Sequence, residues 1–177
     1  MTPNVIYCDI DETVSQFVRP FITFARTHGA NVADYENWSE RRGGLAGDEF
    51  NRLLRLYEVG GYQRQPIDRA ALDGLWELFR SGRHIAYITF RSRAFWGVTR
   101  DWIVDRGLPM GEVITLGPGA DKAAVIDARG DGIVWIDDMP PAHLTESCEV
   151  AMVPRPWNAY CQLRRLTWAA IVGEFRA

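Results

Sequence analysis

Long hydrophobic runs are missing from this 177-residue sequence. No stretch of about 18 uncharged apolar residues exists, so a helical membrane protein is excluded. Its first residues, Met-Thr-Pro-Asn and a short apolar run, lack the basic start and apolar core of a secretion signal, and the expected location is cytoplasmic. Cysteine is scarce. Cys8, Cys148 and Cys161 are an odd number with no C-x-x-C pair, which argues against a disulfide framework and gives no zinc-ligand spacing. The three histidines show no metal or triad spacing, and neither a G-x-S-x-G nor a P-loop string occurs. Positive charge is not in excess, 20 Lys+Arg standing against 23 Asp+Glu, so broad attraction to a nucleic-acid backbone is disfavoured, though a local basic groove stays open. Lysine is nearly absent as well: nineteen of the twenty basic residues are arginine and Lys122 is the exception. An ammonium is not interchangeable with a planar guanidinium, which makes Lys122 a candidate for a position that requires one, against plain compositional bias.

What is present is an alternation of strand and helix. Val5-Ile-Tyr-Cys8, Ile85-Ala-Tyr-Ile88, Val113-Ile-Thr-Leu116, Ile133-Val-Trp-Ile136 and a weaker Glu149 to Val153 read as short buried strands. Helical patterns lie between and after them at 67–79, 95–106, 122–128 and 162–175. This order predicts an α/β fold, a doubly wound and mainly parallel sheet covered on both faces, with ligands bound beyond the carboxyl ends of the strands. Residues 14 to about 66 break the rhythm with helices at 19–28 and 48–59, a loop holding Gly43, Gly44 and Gly47, and a linker from Gly60-Gly61 to Pro66. They are expected to form a helical insert over the strand ends. The division expected is a core of 1–13 and 81–177 with a cap of 14–80 that returns to the core near 67–80; the cap span holds nine arginines and nine acids, a neutral total.

The strand ends carry the chemistry. The first delivers Asp9 and Asp11, a carboxylate pair suited to phosphoryl transfer, one attacking phosphorus and the other moving the leaving-group proton, although such a string also arises in solvated turns. The second ends at Thr89, able to bind a phosphate oxygen, with Arg91 two residues on. Lys122 opens a short helix, where ammonium and helix N-terminus both favour an anion. The last delivers Asp137 and Asp138, whose charges beside two further carboxylates call for a cation, and Mg²⁺ is the hard, oxygen-preferring candidate.

These four segments together resemble the motifs of the haloacid dehalogenase-like (HAD) phosphatase superfamily: Asp9-x-Asp11-x-Thr13, Thr89, Lys122 and Asp137-Asp138, over about residues 3 to 155. The resemblance implies a HAD-like Rossmannoid core with a small C1-type helical cap. It implies Asp9 as the nucleophile that forms an aspartyl-phosphate, Asp11 as general acid/base, and Thr89 and Lys122 as holding the phosphoryl group; Arg91, by its place two residues past Thr89, is expected to join them in binding phosphate. It implies Mg²⁺ held by Asp9, by the backbone carbonyl of Asp11 and by Asp138, with Asp137 nearby. Within the superfamily the chain is most similar to the 5'(3')-deoxyribonucleotidase group, on Phe17, the small cap, Ile88-Thr-Phe-Arg91, Gly107-Leu-Pro109 and Pro156-Trp-Asn158. Two departures stand out: Glu12 where that group usually has glycine, and Phe90 where a small residue is usual.

The implied partner is a small phosphomonoester, a nucleotide in that group, with no membrane involved. Phe17, eight residues past Asp9, is the aromatic expected to stack on a base, whereas Phe21, Phe24, Tyr35 and Trp38 are expected to pack helices. Two alternatives stay open, a phosphatase acting on the 3' ends of nucleic acid and a phospholigand-binding module without catalysis. The neutral cap weighs against the first and the intact acid set against the second.

Overall fold

The computed structural model describes residues 3–38 and 43–177; the part of the expected loop at 39–42 lies outside the described residues. Five parallel strands form one sheet in the order β3-β2-β1-β4-β5, with β1 Val5–Cys8, β2 His84–Thr89, β3 Glu112–Thr115, β4 Gly132–Asp137 and β5 Glu149–Met152. The strand order reverses direction at β1, which pairs with β2 on one side and β4 on the other. Such a reversal opens a crevice at the carboxyl edge.

Alternation along the strands sorts side chains to two faces. Ile6 and Cys8 of β1, Ile85 and Tyr87 of β2, and Val134 and Ile136 of β4 share a core with Leu72, Leu75 and Leu78 of α4 (Arg69–Arg80), Trp102 and Ile103 of α5 (Trp96–Asp105), and Trp168, Ile171 and Val172 of α7 (Trp168–Phe175). Tyr7, Ala86, Ile88 and Trp135 face the other way, onto Ala123 and Ile126 of α6 (Lys122–Arg129). Helices on both faces make the sheet doubly wound, as its order of elements requires. The caps are local: Asp68 accepts from the Ala70 and Ala71 N–H groups, Asp121 from Ala124 and Thr167 from Ala170.

A second hydrophobic cluster belongs to the insert. Helix α1 (Val18–Thr27) contributes Val18, Phe21, Ile22 and Ala25, and α2 (Gly47–Glu58) contributes Leu53 and Tyr57. The chain segments leading into and out of it are tied together: the Gln16 N–H donates to Pro66 O at 2.8 Å and the Asp68 N–H to Val14 O at 2.8 Å. Two boundaries differ from expectation. The supposed linker after Gly60 contains a helical turn, α3 (Gly61–Arg64), with Tyr62 buried in the insert's cluster. The last helix begins at Trp168 and not near 162, because the preceding segment pairs with the outer edge of β5, where Met152 N–H donates to Arg164 O and Leu166 N–H to Met152 O.

Candidate active site

Strands β1 and β4 lie side by side, so their ends bring Asp9 and Asp137-Asp138 together. The Asp9 N–H donates to Ile136 O at 2.9 Å, continuing the ladder one residue past β1. Lys122, the first residue of α6, is buried with them. Its Nζ donates to Asp9 Oδ1 and, at 2.7 Å, to Asp137 Oδ2. Burial alone would lower the pKa of this ammonium, but Asp137 and Asp9 outweigh it and hold it above its usual range. The Asp9 carboxyl is pushed up to about 7, by burial first, with Asp137 and Asp11 adding to the rise and Lys122 opposing it. Lys122 Nζ also lies 4.7 Å from the centroid of the Phe90 ring, so the residue after Thr89 borders the same charge cluster. Thr89 ends β2 on the same edge, buried, with its hydroxyl accepting from the Arg91 N–H at 3.3 Å.

Asp138 is held from three directions. Thr13 Oγ1 donates to its Oδ1 at 3.3 Å, Trp157 Nε1 to its Oδ2 at 2.9 Å, and Asn158 Nδ2 to its backbone carbonyl at 2.8 Å. Burial, and then the charges of Asp137, Asp9 and Glu12, push its carboxyl well above the ordinary range. Asp9, Asp137 and Asp138 each offer a carboxylate oxygen, and these oxygens lie within 4.8 Å of one another. Three buried, oxygen-only donors fit a hard divalent cation, whose charge would relieve their repulsion. Asp137 already accepts from Lys122, Trp135 Nε1 and the Met139 N–H. Asp138 has no lysine or arginine within ion-pair distance among the described residues, so it is the member with most need of a cation.

The carboxylate of Asp11 lies outside this trio. It faces Arg91, whose Nε donates to Oδ2 at 2.9 Å and whose Nη2 donates to Oδ1 at 2.7 Å, while Ser15 Oγ lies 3.3 Å from Oδ1. Arg91, expected to bind phosphate, is buried with its guanidinium paired to Asp11. Phe17, expected to stack on a base, is half-buried, stacked on Phe21 at 5.3 Å and edge-on to Tyr57 at 5.6 Å. Residues that sequence patterns had not singled out complete the site. Gln65 Oε1 accepts from Ser15 Oγ at 2.9 Å and from Arg91 Nη2 at 2.5 Å. Pro156-Trp-Asn158 was legible as a motif, but its role in holding Asp138 was not.

Glu12 explains its own departure from glycine. Its φ is 65°, the only positive value at a non-glycine position among the described residues. Its buried side chain accepts from the Val18 N–H at 2.5 Å and from Tyr35 OH at 3.3 Å, with Arg155 Nε 3.6 Å away. The Arg155 Nε donates to Glu12 O at 2.7 Å, and Arg155 Nη2 reaches Asp68 Oδ2 at 3.3 Å. The turn carrying the nucleophile candidate is thereby fastened both to the start of the insert and to its return.

No protein-family model matches the sequence, and no curated protein matches it. Solved structures do match in three dimensions. A HAD family hydrolase from Deinococcus radiodurans R1, with bound phosphate and sodium, aligns with a TM-score of 0.67 at 13% identity over 95% of this chain and 93% of that one. A predicted phosphatase from Clostridium acetobutylicum aligns with a TM-score of 0.69 at 11% identity over 98% of each chain. A haloacid dehalogenase-like family protein from Streptococcus pneumoniae aligns with a TM-score of 0.66 at 12% identity, again over 98% of each. The fold is that of the HAD hydrolases, insert included in the aligned length.

Proposed function

We propose that this chain is a Mg²⁺-dependent phosphomonoesterase that works through an aspartyl-phosphate on Asp9, and that nucleoside monophosphates are its substrate class. The observation that carries the reading is Lys122 Nζ, buried between Asp9 and Asp137, with Asp138 closing a trio of carboxylates. A buried ammonium beside the end of β1 screens two carboxylates and keeps a third N–H for a phosphoryl oxygen. Asp9, Asp137 and Asp138 would hold the ion, which when bound neutralises phosphoryl charge. Asp9 attacks phosphorus, the ester P–O bond breaks, and Asp11 gives its proton to the departing alcohol. Water then attacks the aspartyl-phosphate, Asp11 takes up a proton, and inorganic phosphate leaves with Asp9 restored.

The phosphate and sodium in the Deinococcus hydrolase support the anion and cation halves of this reading. The aromatic cluster of the insert supports the nucleotide half. We take residues 14 to about 66 as a cap over the strand ends, with Phe17 at the margin of a cluster that also holds Phe21, Phe24 and Tyr57, where a base could stack. A phosphomonoester screen with Mg²⁺ tests both halves. Expected results are turnover of nucleoside monophosphates, its abolition by EDTA, and its loss in Asp9→Asn with retained folding and retained orthovanadate binding. Undiminished activity after thorough chelation would overturn the metal assignment, and near wild-type turnover by Asp9→Asn would overturn the covalent route.

A further inference from the structure

We propose that Arg91 is a positioning residue for Asp11, and that Gln65 in turn positions Arg91; the inference rests on the phosphatase reading above. An ionised carboxylate has about four acceptor sites. Two of those on Asp11 are filled, by Arg91 Nε on Oδ2 and by Arg91 Nη2 on Oδ1, and one stays open on each oxygen; Ser15 Oγ lies 3.3 Å from Oδ1, but its single hydrogen goes to Gln65 Oε1 at 2.9 Å. The carboxylate is thus aimed, because a planar fork gripping both oxygens fixes its plane as a point charge cannot.

The fork itself has little freedom. Arg91 is 3% exposed, its Nη1 donates to Thr99 Oγ1 at 3.4 Å, and its guanidinium carbon lies 4.1 Å from the centroid of Tyr62. Its Nη2 also donates to Gln65 Oε1 at 2.5 Å. A guanidinium only donates, so Gln65 must present its carbonyl oxygen to it, and Ser15 Oγ donates to that same oxygen. Gln65 is fully buried and is anchored through its backbone carbonyl, which accepts from Trp102 Nε1 at 3.0 Å. The chain of contacts therefore runs from α5 through the last residues of the insert to Asp11. A phosphate ligand would need donors directed at the phosphate, whereas four of the five N–H donors of Arg91 are directed at Asp11, Gln65 and Thr99.

The test uses the intact chain with Mg²⁺, p-nitrophenyl phosphate as substrate and orthovanadate as phosphate analogue. Arg91→Lys keeps the charge and loses the fork. It is expected to lower kcat about ten- to hundredfold, within the range of general acid–base contributions, while KM and the vanadate inhibition constant stay within about twofold. In an Asp11→Asn background the same substitution should cost less than about twofold, since the group it positions is gone. Gln65→Met, which removes the acceptor at similar size, should show the same split more weakly, and it carries the test if Arg91→Lys fails to fold by thermal melting. A tenfold or greater rise in KM and vanadate constant with kcat preserved, on the order of one hydrogen-bonded contact, would overturn the inference in favour of phosphate binding. Costs undiminished by Asp11→Asn would also overturn it. Wild-type protein inert toward every ester tried would instead overturn the phosphatase reading, and this inference with it.

Discussion

Glu12 holds its side chain on a left-handed backbone, a conformation that costs an ordinary residue roughly 1–2 kcal/mol and glycine almost nothing. The cost is offset by acceptors for the Val18 N–H and Tyr35 OH and by the neighbouring Arg155. Two substitutions separate these effects. Glu12→Ala loses the contacts and keeps the strain, while Glu12→Gly loses the contacts and relieves it. Urea unfolding should therefore find both less stable than the parent, with the alanine variant the weaker of the two by about 1 kcal/mol. Equal stability of the two variants would show that the turn relaxes when the side chain is removed. The site was partly legible at this scale, for one physical reason: Asp9, Lys122, Asp137 and Asp138 sit where an apolar run stops or a helix starts, and such boundaries show in a sequence. Gln65 and Ser15 lie within loop sequence, 50 residues apart, and Gln65 meets Arg91 across 26 residues, so no local pattern marks them. Arg91 was visible, but its direction was not, because a sequence shows a charge without showing which way it faces.

Helices α4 and α7 illustrate how an element's neighbours decide the sign of a substitution. Gly74 lies within α4, and a Cβ there would come 3.0 Å from Trp168 Cε3 and 3.3 Å from Val172 Cγ2. Gly173 lies within α7, and a Cβ there would meet nothing within 4 Å. Helix propensity alone favours alanine over glycine by roughly 0.5–1 kcal/mol at either position. Gly173→Ala is expected to gain stability of that order. Gly74→Ala is expected to show none of the gain, since the buried Trp168 ring must give way by a few tenths of an ångström. Thermal melts of the two variants check this, and equal gains in both would mean that the α4–α7 contact is slack. The elements themselves followed the sequence where burial dictated them, as in β1, β2 and β4, whose apolar runs are buried on both faces. They diverged where pairing overrode periodicity. Residues 164–166 have the spacing of a helix, yet the open edge of β5 offers backbone partners that a helix would have declined. Gly60-Gly61 reads as a break, yet Gly61 lies against the Tyr57 ring, where a Cβ would come within 2.5 Å, and a helical turn starts there.

For the whole molecule, the charge balance of the insert bears on which of two phosphate esters suits it. Nine arginines are matched by nine acids over residues 14–80, and the chain as a whole is at -3. Binding to a polymer end draws on counterion release, so a protein built for it gains affinity steeply as salt falls. A neutral 14–80 span gives little of that gain. Hydrolysis of deoxyribonucleoside monophosphates is expected to exceed that of 3'-phosphorylated oligonucleotides and to depend weakly on salt; a steeply salt-dependent preference for oligonucleotides would favour end processing. The single lysine has a different use at this scale. Apart from the terminal amine it is the one primary amine in the chain, and its side chain is 2% exposed between two carboxylates. An acylating reagent can reach Nζ only when the cluster opens, and only after the ammonium has lost its proton. Lys122 is thus a built-in clock. A second label, counted on the intact protein by mass, should appear far more slowly than the first, at a pace set by how often this part of the molecule comes apart.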